Sequence, residues 1–93
     1  MGETRVLLVE DNVINQRIAK HMLVSFGYSV DVAHHGAEAV TVLEKSIYDL
    51  VLMDCQMLEM DGYTATKIIR DPASRVLNHD VPIIAFTAIL HSV

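Results

Sequence analysis

With 93 residues, 52% of them apolar and 20% charged, the chain has the make-up of one globular domain, with no room for two independent cores. Twelve acidic against seven basic side chains leave a net charge of −5, which argues against a nucleic-acid partner, since phosphate backbones call for clustered cations, and suits a domain that holds a cation. A single cysteine excludes a disulfide framework, and the apolar runs are too short for a membrane span or a signal peptide. A cytoplasmic domain without membrane contact is the expectation.

Val6-Leu7-Leu8-Val9 is a continuous apolar run ending at Glu10-Asp11, the pattern of a strand buried on both faces. Asn12 can cap the helix that follows, in which Ile14, Ile18, Met22 and Phe26 recur every fourth residue and Ala19 and Leu23 widen the stripe. Gly27 stands where a glycine would end that helix. Tyr28 to Ala33 alternates, with Tyr28, Val30 and Val32 on one face, and suits a strand near a sheet edge. A second helix opens at Gly36 and turns Ala39, Val40 and Leu43 inward. Leu50-Val51-Leu52-Met53 is another buried run, ending at Asp54. After a loop, Asp61 can cap a third helix with Tyr63, Ala65, Thr66 and Ile69 toward the sheet. Asp71 to Asp80 is a polar loop, and Val81 to Phe86 forms the fourth buried run, ending at Thr87. Pro82 is tolerated there because the first residues of a strand need no ladder donor.

The order β-α-β-α-β-α-β predicts an α/β fold, an open parallel sheet with right-handed crossovers and helices on both faces. In such sheets function gathers beyond the carboxyl ends of the strands. That rule selects Glu10, Asp11, Asp54 and Thr87.

If the first and third strands are neighbours, about 5 Å apart, Glu10, Asp11 and Asp54 crowd three carboxylates into one pocket. Like charges at that spacing disfavour ionisation and call for a cation. The alternative is that the three acids are solvated strand ends or helix caps. An all-oxygen donor set favours Mg²⁺ or a similar hard ion. Glu59-Met60-Asp61-Gly62 lacks the alternating acids of a calcium loop, and no phosphate-binding glycine loop is present. Zinc is disfavoured because His34 and His35 are adjacent and diverge, while His21, His79 and His91 read as surface residues. Cys55 reads as a small loop residue, since no Cys-His-acid arrangement can be placed around it.

The segments Leu7-Leu8-Val9-Glu10-Asp11-Asn12, Asp49-Leu50-Val51-Leu52-Met53-Asp54, Met60-Asp61-Gly62 and Pro82-Ile83-Ile84-Ala85-Phe86-Thr87-Ala88 together resemble a response-regulator receiver domain, the phosphoacceptor module of two-component signalling. Asn15-Gln16, Asp54-Cys55-Gln56-Met57 and Asn78-His79-Asp80 are similar to receivers of bacterial hybrid sensor histidine kinases. The resemblance implies a flavodoxin-like fold and a phosphorelay function. Asp54 would take a phosphoryl group from a histidine on a histidine kinase or a histidine phosphotransfer domain. Asp11 and Asp54 would bind Mg²⁺ directly, Glu10 through water, and Gln56 through its backbone carbonyl. Thr87 would donate its hydroxyl to a phosphoryl oxygen, and the small Ala88 would leave room for that group. The domain would be no enzyme beyond its own phosphorylation and dephosphorylation.

The sequence departs from the family in two places. Leu58 stands where proline is usual, which restores backbone freedom to the loop at a cost under about 1 kcal/mol. A complete receiver also continues past the fourth strand with a helix, a fifth strand ending in lysine and a final helix. Residues 1–93 therefore read as a receiver truncated after its fourth strand, with that strand an exposed apolar edge suited to homodimerisation. The second reading is a phosphorylation-impaired receiver remnant that acts as an interaction module through this edge. A hydrolase with an Asp nucleophile ranks below both, because Gln56 stands where D-x-D has its second acid.

Overall fold

The computed structural model describes residues 3–54 and 62–86. In chain order these form β1 (Arg5–Val9), α1 (Val13–Ser25), β2 (Ser29–Ala33), α2 (Gly36–Lys45), β3 (Leu50–Asp54), α3 (Gly62–Arg70) and β4 (Ile83–Phe86). The strands make one parallel sheet in the order β2-β1-β3-β4. Each crossover carries a helix, as parallel neighbours require.

Alternation along β1 splits the core in two. Leu7 and Val9 point to one face, where they pack with Ala39 and Leu43 of α2 and Ala65 and Ile69 of α3. Val6 and Leu8 point to the other, toward Ala19 and Leu23 of α1. The four side chains from Val6 to Val9 are fully buried, which accounts for the unbroken apolar run.

Local chemistry sets the helix boundaries. The Asn12 side chain accepts the N–H groups of Ile14 and Asn15 at 2.9 and 3.1 Å, capping α1. Gly27, at φ +94°, supplies the left-handed turn that ends the same helix. His35 caps α2 through Nδ1, which accepts the Glu38 N–H at 3.1 Å. Replacing the α1 cap, Asn12→Ala, is expected to cost about 1 kcal/mol, read as a lower urea midpoint with an unchanged slope.

Four expectations about the helices and the loop after α3 change. The α1 stripe is rotated: Ile14, Ile18, Met22 and Phe26 are exposed by 43 to 70%, and Gln16, Ala19 and Leu23 turn inward instead. A spacing of four drifts around a helix of 3.6 residues per turn, so a run of i+4 steps does not hold one face. Tyr63 is exposed, while Gly62, Ala65 and Ile69 form the buried face of α3. The loop after α3 is not wholly polar, because Val76 is buried in the larger core and the Leu77 N–H donates to the Leu43 carbonyl at 3.0 Å. His79 is half-buried, with Nδ1 2.9 Å from the Ile69 carbonyl. The Asp61 cap lies outside the described residues.

β4 is only partly the buried strand of the sequence reading. Val81 is buried just before it, but Ile84 is 54% exposed and Ala85 is exposed too. The strand pairs on one side alone, with β3, and among the described residues its other edge is open. A groove of about 220 Å³ lies beside it, lined by Leu8, Met22, Leu23, Phe26, Leu52 and Phe86.

At the other edge, Arg5 lies over the Tyr48 ring, 4.6 Å from its centroid, and the Tyr48 hydroxyl donates to Asp31. Burial, then the neighbouring Asp31, pushes the Tyr48 hydroxyl up to about 12. This pins the loop before β3 to β1 and β2, and so fixes where β3 begins. Among the described residues no helix is long and apolar enough to cross a membrane.

Candidate functional site

The ladder between β1 and β3 runs Val6↔Leu50 to Val9↔Met53. Its last rung sets the next residues, Glu10 and the final β3 residue Asp54, side by side at the carboxyl end of the sheet. Register alone thus joins two acids from distant parts of the chain, and Asp11 follows directly. One carboxylate oxygen from each of Glu10, Asp11 and Asp54 can be chosen so that all lie within 4.8 Å of one another. Glu10 and Asp54 are 1% and 2% exposed, and Asp11 is more open than either.

The backbone around Glu10 is held at three points. Its N–H donates to the Ala33 carbonyl at the end of β2, at 3.0 Å. Its carbonyl accepts from the Gln16 side-chain amide at 2.6 Å, in a buried contact. Its carboxylate Oε2 accepts the Asp11 N–H at 3.0 Å. Oε1 is buried and has no hydrogen-bond partner among the described residues.

Burial, then the hydrogen bond and charge of Asp54, pushes the Glu10 carboxyl from an ordinary 4.5 up to about 7. Hydrogen bonding from the Asn15 side chain and the Asn12 backbone lowers it part of the way back. A buried acid oxygen without a donor, facing two further carboxylates, is the arrangement a cation resolves. The donor set is all oxygen and partly open, which fits Mg²⁺ better than zinc or a fully enclosed calcium. The residues present therefore fit the ion expected from the sequence.

The structure brings together Glu10, Asp11 and Asp54. Gln56 and Thr87 lie outside the described residues, as do Cys55, Leu58, Ala88 and His91. His34 and His35 sit before α2 and serve that helix: His34 Nδ1 is 2.9 Å from Glu38, and His35 is the cap. Sequence reasoning assigned no role to Gln16. The available signal was the spacing Gln16, Ala19, Leu23, which places a polar side chain on the buried face of α1.

Residues 6–92 match the response regulator receiver domain family. The chain belongs to that family. Among curated relatives, this receiver is 48% identical over 93 residues to hybrid signal transduction histidine kinase B of Dictyostelium discoideum, spanning 90% of this chain and 5% of the kinase. Receivers of hybrid histidine kinases are thus its sequence neighbours, and the chain corresponds to a small part of such proteins.

Among solved structures, it is similar to the receiver domain of sensor histidine kinase PA1611 from Pseudomonas aeruginosa PAO1. The TM-score is 0.83 with 44% identity, over 94% of this chain and 69% of that one. That structure has a magnesium ion coordinated in its active site cleft. The receiver domain of Ssk1 from Saccharomyces cerevisiae, crystallised with the histidine phosphotransfer protein Ypd1, is similar at a TM-score of 0.74. Its identity is 33%, over 92% of this chain and 64% of that one.

Proposed function

We propose that the chain is a working phosphoacceptor, with Asp54 as the nucleophile of a two-component phosphorelay. The observation that carries this reading is the convergence of Glu10, Asp11 and Asp54 around a buried oxygen that lacks a donor among the described residues. An Asp54 carboxylate oxygen attacks the phosphorus of a phosphohistidine. The P–N bond breaks, the nitrogen keeps the electron pair, and an aspartyl phosphate forms. Glu10 and Asp11 contribute the negative field that holds a divalent cation beside the nucleophile, and Asp11 is the more accessible of the two. When bound, Mg²⁺ would neutralise the pocket and spread the charge of the phosphoryl group in transfer.

Four assignments rest on the family resemblance: direct Mg²⁺ ligation by Asp11 and Asp54, the Glu10 contact through water, the Gln56 carbonyl as a further ligand, and the Thr87 hydroxyl as a phosphoryl donor. The donor partner is a histidine kinase or a histidine phosphotransfer domain, a reading supported by the Ssk1 receiver crystallised with Ypd1. The domain acts in the cytoplasm on no substrate but its own phosphoryl group, and residues 1–93 act as one receiver unit. The net charge of −5 disfavours a nucleic-acid contact.

Intact-protein mass after incubation with Mg²⁺ and acetyl phosphate tests the reading. One phosphoryl adduct per chain, formed only with Mg²⁺ and lost in mild base, is expected. A folded chain that gains none overturns it.

The open edge of β4, with Ile84 exposed beside the apolar groove, favours a second reading in which two copies pair through this strand. Sedimentation is then expected to show a dimer that dissociates on dilution and is lost in Ile84→Lys. A monomer at every concentration removes this reading.

A further inference from the structure

The Gln16 side chain is absorbed neither by the core nor by the proposed chemistry. It occupies the buried face of α1 beside Ala19 and Leu23, where an apolar residue would pack. Its amide reaches back to the Glu10 carbonyl at 2.6 Å. The Glu10 N–H donates to Ala33 on the β2 side, and the β1–β2 ladder ends at Val9↔Ala33, so the Glu10 carbonyl stands past the last rung on that side. The Gln16 amide supplies a buried side-chain donor to it.

We propose that Gln16 is a positioning residue that orients the Glu10–Asp11 peptide and so sets the aim of both acids into the cation pocket. The proposal rests on the cation-dependent phosphoacceptor reading and adds to it a residue that touches neither ion nor phosphoryl group.

The Glu10 N–H is tied to β2 through Ala33, the Asp11 N–H is tied to the Glu10 carboxylate, and the carbonyl between them accepts the Gln16 amide. A peptide plane held on its N–H sides alone can tilt, and a tilt here swings the Asp11 side chain. Polar groups that orient metal ligands from behind typically affect metal affinity 10- to 100-fold when removed. A side chain that served only to fill space would not act on the cation at all.

The test compares Gln16→Met, which keeps length and removes the donor, with the parent chain and with Arg17→Ala, an exposed neighbour on the same helix. Mg²⁺ affinity is read by calorimetry at a temperature where circular dichroism shows each protein fully folded. The expected result is a Mg²⁺ Kd about 10-fold weaker in Gln16→Met and unchanged in Arg17→Ala. Adduct formation from acetyl phosphate should follow, slow at limiting Mg²⁺ and restored toward the parent rate at saturating Mg²⁺. If Gln16→Met does not fold, Gln16→Asn serves instead, since it keeps an amide too short to reach the carbonyl, with the same 10-fold expectation.

An unchanged Kd in a folded variant overturns the proposal. A parent chain that binds no Mg²⁺ overturns the cation reading as well, so the two failures are told apart by the parent alone.

Discussion

Asp54→Asn is expected to abolish phosphoryl incorporation and, in the same protein, to raise the stability of the cation-free fold. The first effect is chemical, because an amide oxygen is not a competent nucleophile toward phosphorus and no adduct should appear at any Mg²⁺ concentration. The second follows from the pocket. Asp54 is 2% exposed beside Glu10, and its charge helps push the Glu10 carboxyl up to about 7. Removing that charge relieves the repulsion and lets Glu10 ionise more readily. The gain should be on the order of 1 kcal/mol in urea unfolding without Mg²⁺, since each unit of pKa difference amounts to 1.36 kcal/mol. The stabilisation that Mg²⁺ gives the parent should largely vanish. A variant less stable than the parent without Mg²⁺ would mean that Asp54 serves the fold through packing rather than straining it through charge.

The pH dependence of stability should reverse the usual behaviour of a carboxylate. Glu10 has a folded value of about 7 against an ordinary 4.5, so between these limits the folded state binds more protons than the unfolded one. Its contribution is therefore complete below about pH 4.5, falls as pH rises, and is exhausted above about pH 7. The loss should reach at most about 3 kcal/mol across that window. Mg²⁺ should flatten the slope by holding Glu10 ionised, and at a hundredfold excess over Kd it should return about 2.7 kcal/mol near neutrality. Urea midpoints measured from pH 4.5 to 8, with and without Mg²⁺, test both halves. A cation-free stability that rises steadily through this range would show that Glu10 is not the strained group.

Much of this was legible in the sequence, for a physical reason. Strands buried on both faces must be apolar throughout, so Val6–Val9 and Leu50–Met53 announce themselves, and the first charged residue after each run marks the carboxyl edge where function gathers. Glu10 and Asp54 are those residues, and Asp11 follows Glu10 directly. The faces of α1 were less legible, because Ile14, Ile18, Met22 and Phe26 are as apolar as core residues and yet lie outside. Composition does not distinguish an apolar side chain that packs from one that waits for a neighbour. Gln16 was hidden for the opposite reason: a polar residue on a helix is read as solvent-facing unless its backbone partner, six residues earlier in sequence, is already known to need it. Val76 was masked by the polar loop around it.

The pairing of β1 with β3 also governs the order of events in folding. These strands are neighbours in space, but α1, β2 and α2 lie between them in the chain. Closing so long a loop costs entropy before any rung of the ladder repays it. Glu10 and Asp54 are therefore expected to meet late, after the central rungs have formed, since no local hairpin or isolated helix of this chain brings them together. On that expectation the electrostatic strain of the pocket builds on the downhill side of the folding barrier. It should chiefly speed unfolding while leaving the rate of folding nearly untouched.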